Sequence, residues 1–129
     1  MKKAYVDGYV LPVKKNKLAT YKKMATEAGK MWIKYGALQY FESVGDDLSI
    51  ASKMKVLPFQ KMAKAKPNET IIFAFVVYKS KAHRNQVNTK VMKNMTISPE
   101  LEKECKNLFD MRKMAYAGFK TIVGLEKRK

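Results

Sequence analysis

Apolar and polar positions change their period several times along the 129-residue chain. Residues 4–13, AYVDGYVLPV, read as a strand. Leu18, Tyr21, Ala25, Ala28, Trp32 and Tyr35 then recur at steps of three and four, which is one face of a helix. Asn16 is placed to cap that helix and Gly36 to end it. Lys22, Lys23, Lys30 and Lys34 fall mostly off the stripe, toward solvent. Residues 38–44, LQYFESV, predict a second strand, stopped at Gly45, Asp46 and Asp47. A polar, basic insert follows at about 48–68, with a short helix after Pro58. Residues 69–78 predict the third strand, and Ser80 caps a helix running to about Met95. Ser98, Pro99 and the acids Glu100 and Glu102 mark another helix start. Residues 114–123 predict the last strand, and the tail after about 124 is expected to fray.

The order is βαβ followed by βαβ in a single domain spanning 1–129. The expected fold class is α+β: a ferredoxin-like βαββαβ four-stranded antiparallel sheet. Two crossover helices cover only one face of such a sheet, so the other face of a soluble monomer should be polar. The third strand disagrees. Ile72, Ala74, Val76 and Tyr78 point one way, and Ile71, Phe73, Phe75 and Val77 the other. Both faces are apolar, so something must cover the second.

RNA bases are one candidate cover. Phe73, Ala74, Phe75, Val76 and Tyr78 fit the second half of an RNA-recognition strand signature, and Tyr5, Val6 and Gly8 half-match its companion strand. Ile71 and Ile72, however, stand where that signature has a basic residue and a glycine. A second copy of the same sheet is the better cover. Two sheets packed face to face make a dimeric α/β barrel with an isologous interface, and Ile71, Phe73, Phe75 and Val77 are its interface candidates.

Charge changes this picture little. The formal net charge is +16, but only Arg84, Arg112 and Arg128 among the 27 basic residues are arginines. Specific recognition of phosphates and bases favours arginine's planar fork. The acid-free stretches 51–66 and 79–93 carry five basic residues each. They are expected to give at most weak, non-specific nucleic-acid binding. The longest apolar runs fall well short of the roughly 20 residues of a membrane span, and Asp7 and Gly8 break the signal-peptide pattern begun by the first residues. The expected setting is cytoplasmic, without membrane association. One cysteine, Cys105, and one histidine, His83, argue against an internal disulfide or a conventional metal site, so no metal and no cofactor is expected. Cys105 reads as a partly buried thiol and His83 as a helix-surface or packing residue.

Four segments carry a resemblance: YVDGYV at 5–10, YGALQYFESVGDDL at 35–48, SKAHRNQVNTKVM at 80–92 and LFDMRKMAYAGF at 108–119. On these the chain resembles an uncharacterised bacterial family, the YbaA-like proteins with domain of unknown function 1428. The resemblance implies a dimeric ferredoxin-like barrel and no established activity. The family pattern places an acid and a basic residue where this chain has Pro58 and Gln60, and an Asp where it has Asn85.

The polar residues on strands and on the second long helix are the ligand-binding candidates: Tyr5, Asp7, Glu42, Arg84, Asn88 and Tyr116. On the first strand Tyr5, Asp7 and Tyr9 share one face, and Val6, Gly8 and Val10 the other. The smaller face suits close helix packing, which directs Asp7 and Tyr5 toward the inter-sheet space. Glu42 shares a face with Tyr40, and Tyr116 with Gly118. A carboxylate inside a barrel requires a partner or water; Arg112 and Lys113 are the candidate partners. Arg84 and Asn88, four apart, face the same way and either fasten their helix to a strand carboxylate or line a cleft. The sequence thus describes a cytoplasmic homodimer binding a small molecule in or beside the barrel. Related-looking barrels include cofactor-free monooxygenases, which leaves catalysis open. The alternatives are a non-catalytic accessory or stress-related protein, or a weak RNA binder.

Overall fold

The computed structural model describes residues 4–127. Four strands carry the fold: β1 (Tyr5–Lys14), β2 (Gln39–Val44), β3 (Glu69–Tyr78) and β4 (Ala115–Lys120). Between them run α1 (Leu18–Lys34), the short α2 (Ile50–Met54) and α3 (Phe59–Met62), then α4 (Lys81–Asn94) and α5 (Pro99–Cys105). The strands pair antiparallel in the order β2-β3-β1-β4. Both central strands have ten residues and are hydrogen-bonded on both sides, while β2 and β4 are six-residue edges.

The helix boundaries follow their end chemistry. Ser80 accepts a hydrogen bond from the His83 N–H and opens α4; Ser98 does the same from Leu101 with Pro99 just inside α5. Gly36, at φ 120, lies just past the Tyr35 cap of α1, in backbone geometry that glycine tolerates. Asn16 does not cap α1. The chain leaves β1 through a tight helical turn at Lys15–Lys17, and Lys17 occupies the cap position with no side-chain hydrogen bond.

The helices cover one face of the sheet. Leu11, Val13, Ile72 and Ala74 from the strands meet Tyr21 and Ala25 of α1 and Leu108 beyond α5. A second cluster joins Val76 and Tyr78 to Val87 and Val91 of α4 and to Ala37. The register places Asp7 opposite Val76, and Tyr9 opposite Ala74. Tyr5, Asp7 and Tyr9 therefore lie under the helices, and Val6, Gly8 and Val10 face away. This reverses the orientation expected from side-chain size. The physical reason is that Asp7 and Tyr9 continue the same alternation as Leu11 and Val13, the apolar residues that the helices bury.

The face away from the helices carries Phe41 of β2, Phe73 and Phe75 of β3, Val6, Gly8 and Val10 of β1, and Ala115, Ala117 and Phe119 of β4. None of these is charged; the charges of this face, Lys14 and Glu69, are paired in register at one end of the central strands. Ile71 and Val77 are already buried within the chain, whereas Phe41, Phe73 and Phe119 are about half exposed. The 48–68 insert is less polar in its packing than its lysines imply. Phe59 of α3 lies 6.1 Å from the Phe73 ring, so the insert closes over the Ile71 end of the open face. Lys113 ties the insert down by donating to the Lys64 carbonyl at 3.1 Å, and its ammonium lies 3.9 Å from Glu69.

Candidate functional site

The expected polar residues gather in two places on the helix side of the sheet. The first lies where α4 crosses β1 and β4. Asp7 is fully buried, and the Arg84 Nη1 atom sits 3.4 Å from its Oδ1. Arg84 Nη1 also donates to the Tyr116 hydroxyl at 2.8 Å, and Nη2 donates to the Tyr5 hydroxyl at 3.3 Å. The guanidinium carbon stands 5.0 Å from the Tyr5 ring centroid, a cation–π distance. Burial opposes the charge on Arg84, yet Asp7 and the neighbouring tyrosines raise its pKa further above the ordinary value. The Asp7 oxygens have no well-aligned hydrogen bond among the described residues, so this carboxylate is held by charge. Its partner is Arg84, not Arg112 or Lys113. Arg112 is engaged by Asp110 at 3.1 Å, next to it on the surface, and Lys113 by Glu69.

Asn88 extends this cluster by one helical turn. Its Oδ1 accepts from Trp32 Nε1 at 3.0 Å and from the Tyr78 hydroxyl at 3.1 Å, joining α1, α4 and β3 at one atom. Tyr9 stacks on Tyr116 with ring centroids 4.8 Å apart. The hydroxyls of Tyr9 and Tyr78 are held well above the usual phenol range, first by burial and then by the Asp7 charge. Tyr116 is raised by the same two causes in the same order. His83 lies outside the cluster; its Nδ1 accepts from the Lys79 N–H at 2.9 Å, and its ring meets Tyr78 edge-on.

The second gathering is built around Glu42 at the β2 edge. The Tyr21 hydroxyl donates to Glu42 Oε1 and the Tyr40 hydroxyl to Oε2, each at 2.7 Å. Both tyrosines are raised well above the phenol range, by burial first and then by their bonds to Glu42. Gly29 of α1 makes this possible. A Cβ there would lie 2.7 Å from Tyr40 Cδ1, so only glycine lets the helix close over that ring. Above Glu42 opens a groove of about 890 Å³ between α1 and β2. Leu18, Ala25, Ile33, Val44 and Ile72 make its walls apolar, and Lys22, Lys30 and Lys34 contribute to its lining from α1. That volume falls in the range of ligand pockets, about 300–1,000 Å³. The periodicity of α1 already singled out Tyr21 as a buried position; that it would reach Glu42 depends on the crossing of α1 over β2.

Cys105 is half-buried beside the first core cluster, and burial followed by Glu104 pushes its thiol up, away from the reactive thiolate. Among the described residues no three His, Cys, Asp or Glu side chains gather as a metal site, and no helix is long and apolar enough to cross a membrane.

Residues 4–111 match the family described as Protein of unknown function (DUF1428). The chain belongs to the DUF1428 family. Over 120 residues it is 32% identical to the Uncharacterized protein YbaA of Escherichia coli K12, a match covering 92% of this chain and 97% of that one. The YbaA protein of Shigella flexneri matches equally. Among solved structures, the DUF1428 chain is similar to a dimeric ferredoxin-like protein from an uncultured marine organism. Their TM-score is 0.64 at 11% identity, covering 98% of this chain and 94% of the other. A second protein of the same description has a TM-score of 0.53 at 9% identity, covering 97% and 99%. At those identities the likeness is one of fold: α+β, ferredoxin-like.

Proposed function

We propose that this DUF1428 protein is a homodimer that binds a small, mainly apolar molecule in the groove between α1 and β2, with Glu42 as the polar anchor. The observation that carries this reading is the groove itself, in which apolar walls surround one oriented carboxylate. Both Glu42 oxygens already accept a tyrosine hydroxyl. A carboxylate has about four acceptor positions, so two remain for a ligand. The matching ligand has a compact apolar body and one donor group, an amine or a hydroxyl. The groove lies on the helix side of the sheet and so stays open when a second copy covers the other side. The two solved neighbours described as dimeric support that assembly. In this reading Tyr5, Asp7, Arg84, Asn88 and Tyr116 form the internal frame that fixes α4, and Glu42 alone among the earlier candidates meets the ligand.

A fragment screen by protein NMR, using aromatic amines, phenols and their unsubstituted hydrocarbons, tests this. Amines and phenols are expected to perturb Ile33, Tyr40 and Val44, and Glu42→Gln to weaken them by about tenfold, roughly 1.4 kcal/mol. Fragments that map elsewhere, or bind equally well without a donor group, contradict it. Sequence-selective RNA binding at physiological salt would restore the nucleic-acid reading.

A further inference from the structure

The half-exposed phenylalanines of the open sheet face supply only part of an ordinary interface. Large aromatic side chains bury roughly 150–250 Å² each. Phe41, Phe73 and Phe119, at 47%, 46% and 56% exposure, together offer about 300 Å² on that scale. A stable interface takes roughly 800 Å² from each partner. Two further apolar surfaces lie at opposite ends of the same face. At one end the insert presents Val56, Leu57 and Phe59, at 54%, 64% and 47% exposure, and Phe59 is continuous with the face through Phe73. At the other end the chain leaves β4 into a tail that carries Ile122, Val123 and Leu125, at 87%, 73% and 89% exposure.

The tail cannot serve its own insert. It departs after Lys120, which pairs with Tyr5 on β1, whereas the insert meets the sheet at Phe73 of β3, which pairs with Val10. Five strand residues along and two strands across separate those points, roughly 19 Å at about 3.3 Å per residue and 4.8 Å per strand. Residues 121–125, fully extended, reach only about 17 Å. A two-fold axis between facing sheets runs either along the strands, bringing like ends together, or across them, bringing opposite ends together. The first choice brings two acid-free, lysine-bearing inserts against each other. The second brings the uncharged segment 121–125 of each copy to the end that bears the other's insert, two strands or about 10 Å to its side, a gap the segment can span.

We infer that residues 121–125 are an exchanged arm, docking in each copy onto the Val56–Leu57–Phe59 shelf of a second copy of this chain. The inference rests on the homodimer reading above and adds the direction of the axis and the segments that lock it. Each dimer then has two arm–shelf contacts flanking the phenylalanine layer.

The experiment uses two full-length variants, Leu57→Cys and Leu125→Cys, each carrying Cys105→Ser. Both engineered positions are exposed, so the fold is expected to tolerate them. Mixed, allowed to exchange subunits and treated with a short bismaleimide, they are expected to give a covalent dimer that neither variant gives alone. A chain ending at Lys120 is expected to raise the dimer dissociation constant at least about tenfold. A wild-type dimer whose mixed variants do not cross-link overturns the exchanged arm and leaves the homodimer standing. Cross-linking of Leu57→Cys with itself overturns the axis direction. A monomeric wild type overturns the homodimer and the arm with it.

Discussion

Under the helices, β1 and β3 present Asp7, Tyr9 and Tyr78, and on the opposite side the same strands present Gly8, Val10, Phe73 and Phe75. The first face is covered by the protein's own helices, and its two carboxylates have specific counterparts: Arg84 for Asp7, and the Tyr21 and Tyr40 hydroxyls for Glu42. The second face has charges only where Lys14 and Glu69 pair at one end of the central strands, and three of its phenylalanines stay half exposed. A face with polar groups must be met atom by atom, because each unmatched group costs free energy. A face without them needs only shape and area. Alternation along two strands thus separates the face beside the proposed ligand groove from the face proposed to meet a second copy of the chain.

The comparison breaks most sharply at Arg84. Arg84→Met leaves the Asp7 charge buried without its counterion and is expected to cost about 3–5 kcal/mol in denaturant melts. Phe73→Ser on the open face should cost the folded monomer far less. Equal losses would mean that the two faces are not energetically distinct.

Alkaline pH should also act through the helix face. The folded pKa values of Tyr9, Tyr21, Tyr40 and Tyr78 lie above the unfolded value of about 10, chiefly through burial. The unfolded chain then releases protons that the folded chain keeps. Their stabilisation is complete below about pH 10 and declines as pH rises further. Ultraviolet titration should show these four phenols ionising only together with unfolding. Ionisation near pH 10 in the intact fold would contradict the burial of that face.

A smaller contrast comes from two glycines. Gly118 lies under Tyr5, and a Cβ there would stand 2.8 Å from Tyr5 Cε2, pushing the ring off Arg84. Gly118→Ala is expected to cost about 1–3 kcal/mol by thermal melting. At Gly8, on the open face, a Cβ would meet Phe119 Cε1 at 3.2 Å, and in the monomeric Phe73→Lys background that ring is free to shift. Gly8→Ala should cost less than about 1 kcal/mol.

Much of this was readable in the chain, for reasons tied to particular residues. Strand and helix limits came within a few residues because Ser80, Ser98 with Pro99, and Gly36 mark ends by local chemistry. The antiparallel sheet followed from strand order. The facing of β1 is not legible in the small Val6–Gly8–Val10 row alone, because Leu11 and Val13 carry the core alternation onward from Asp7. The pairing of Asp7 with Arg84 spans 77 positions and is created by the crossing of α4 over the sheet, so no local pattern encodes it. The same holds for Tyr21 and Glu42, brought together by α1 over β2. The insert looked polar because its lysines dominate the count, while the packing of Phe59 on Phe73 depends on how the loop folds back.

The phenylalanine-bearing face is proposed to meet a second copy while the polar face holds the fold and the groove. Light scattering on the wild type and on Phe73→Lys, both at low micromolar concentration, tests it most directly. The chain mass is 14.8 kDa. The wild type is expected at about twice that mass, and Phe73→Lys at the monomer mass with unchanged circular dichroism, because a charge enters the interface layer and leaves the helix-side core intact. A monomeric wild type, or a Phe73→Lys variant that stays dimeric, would contradict the account.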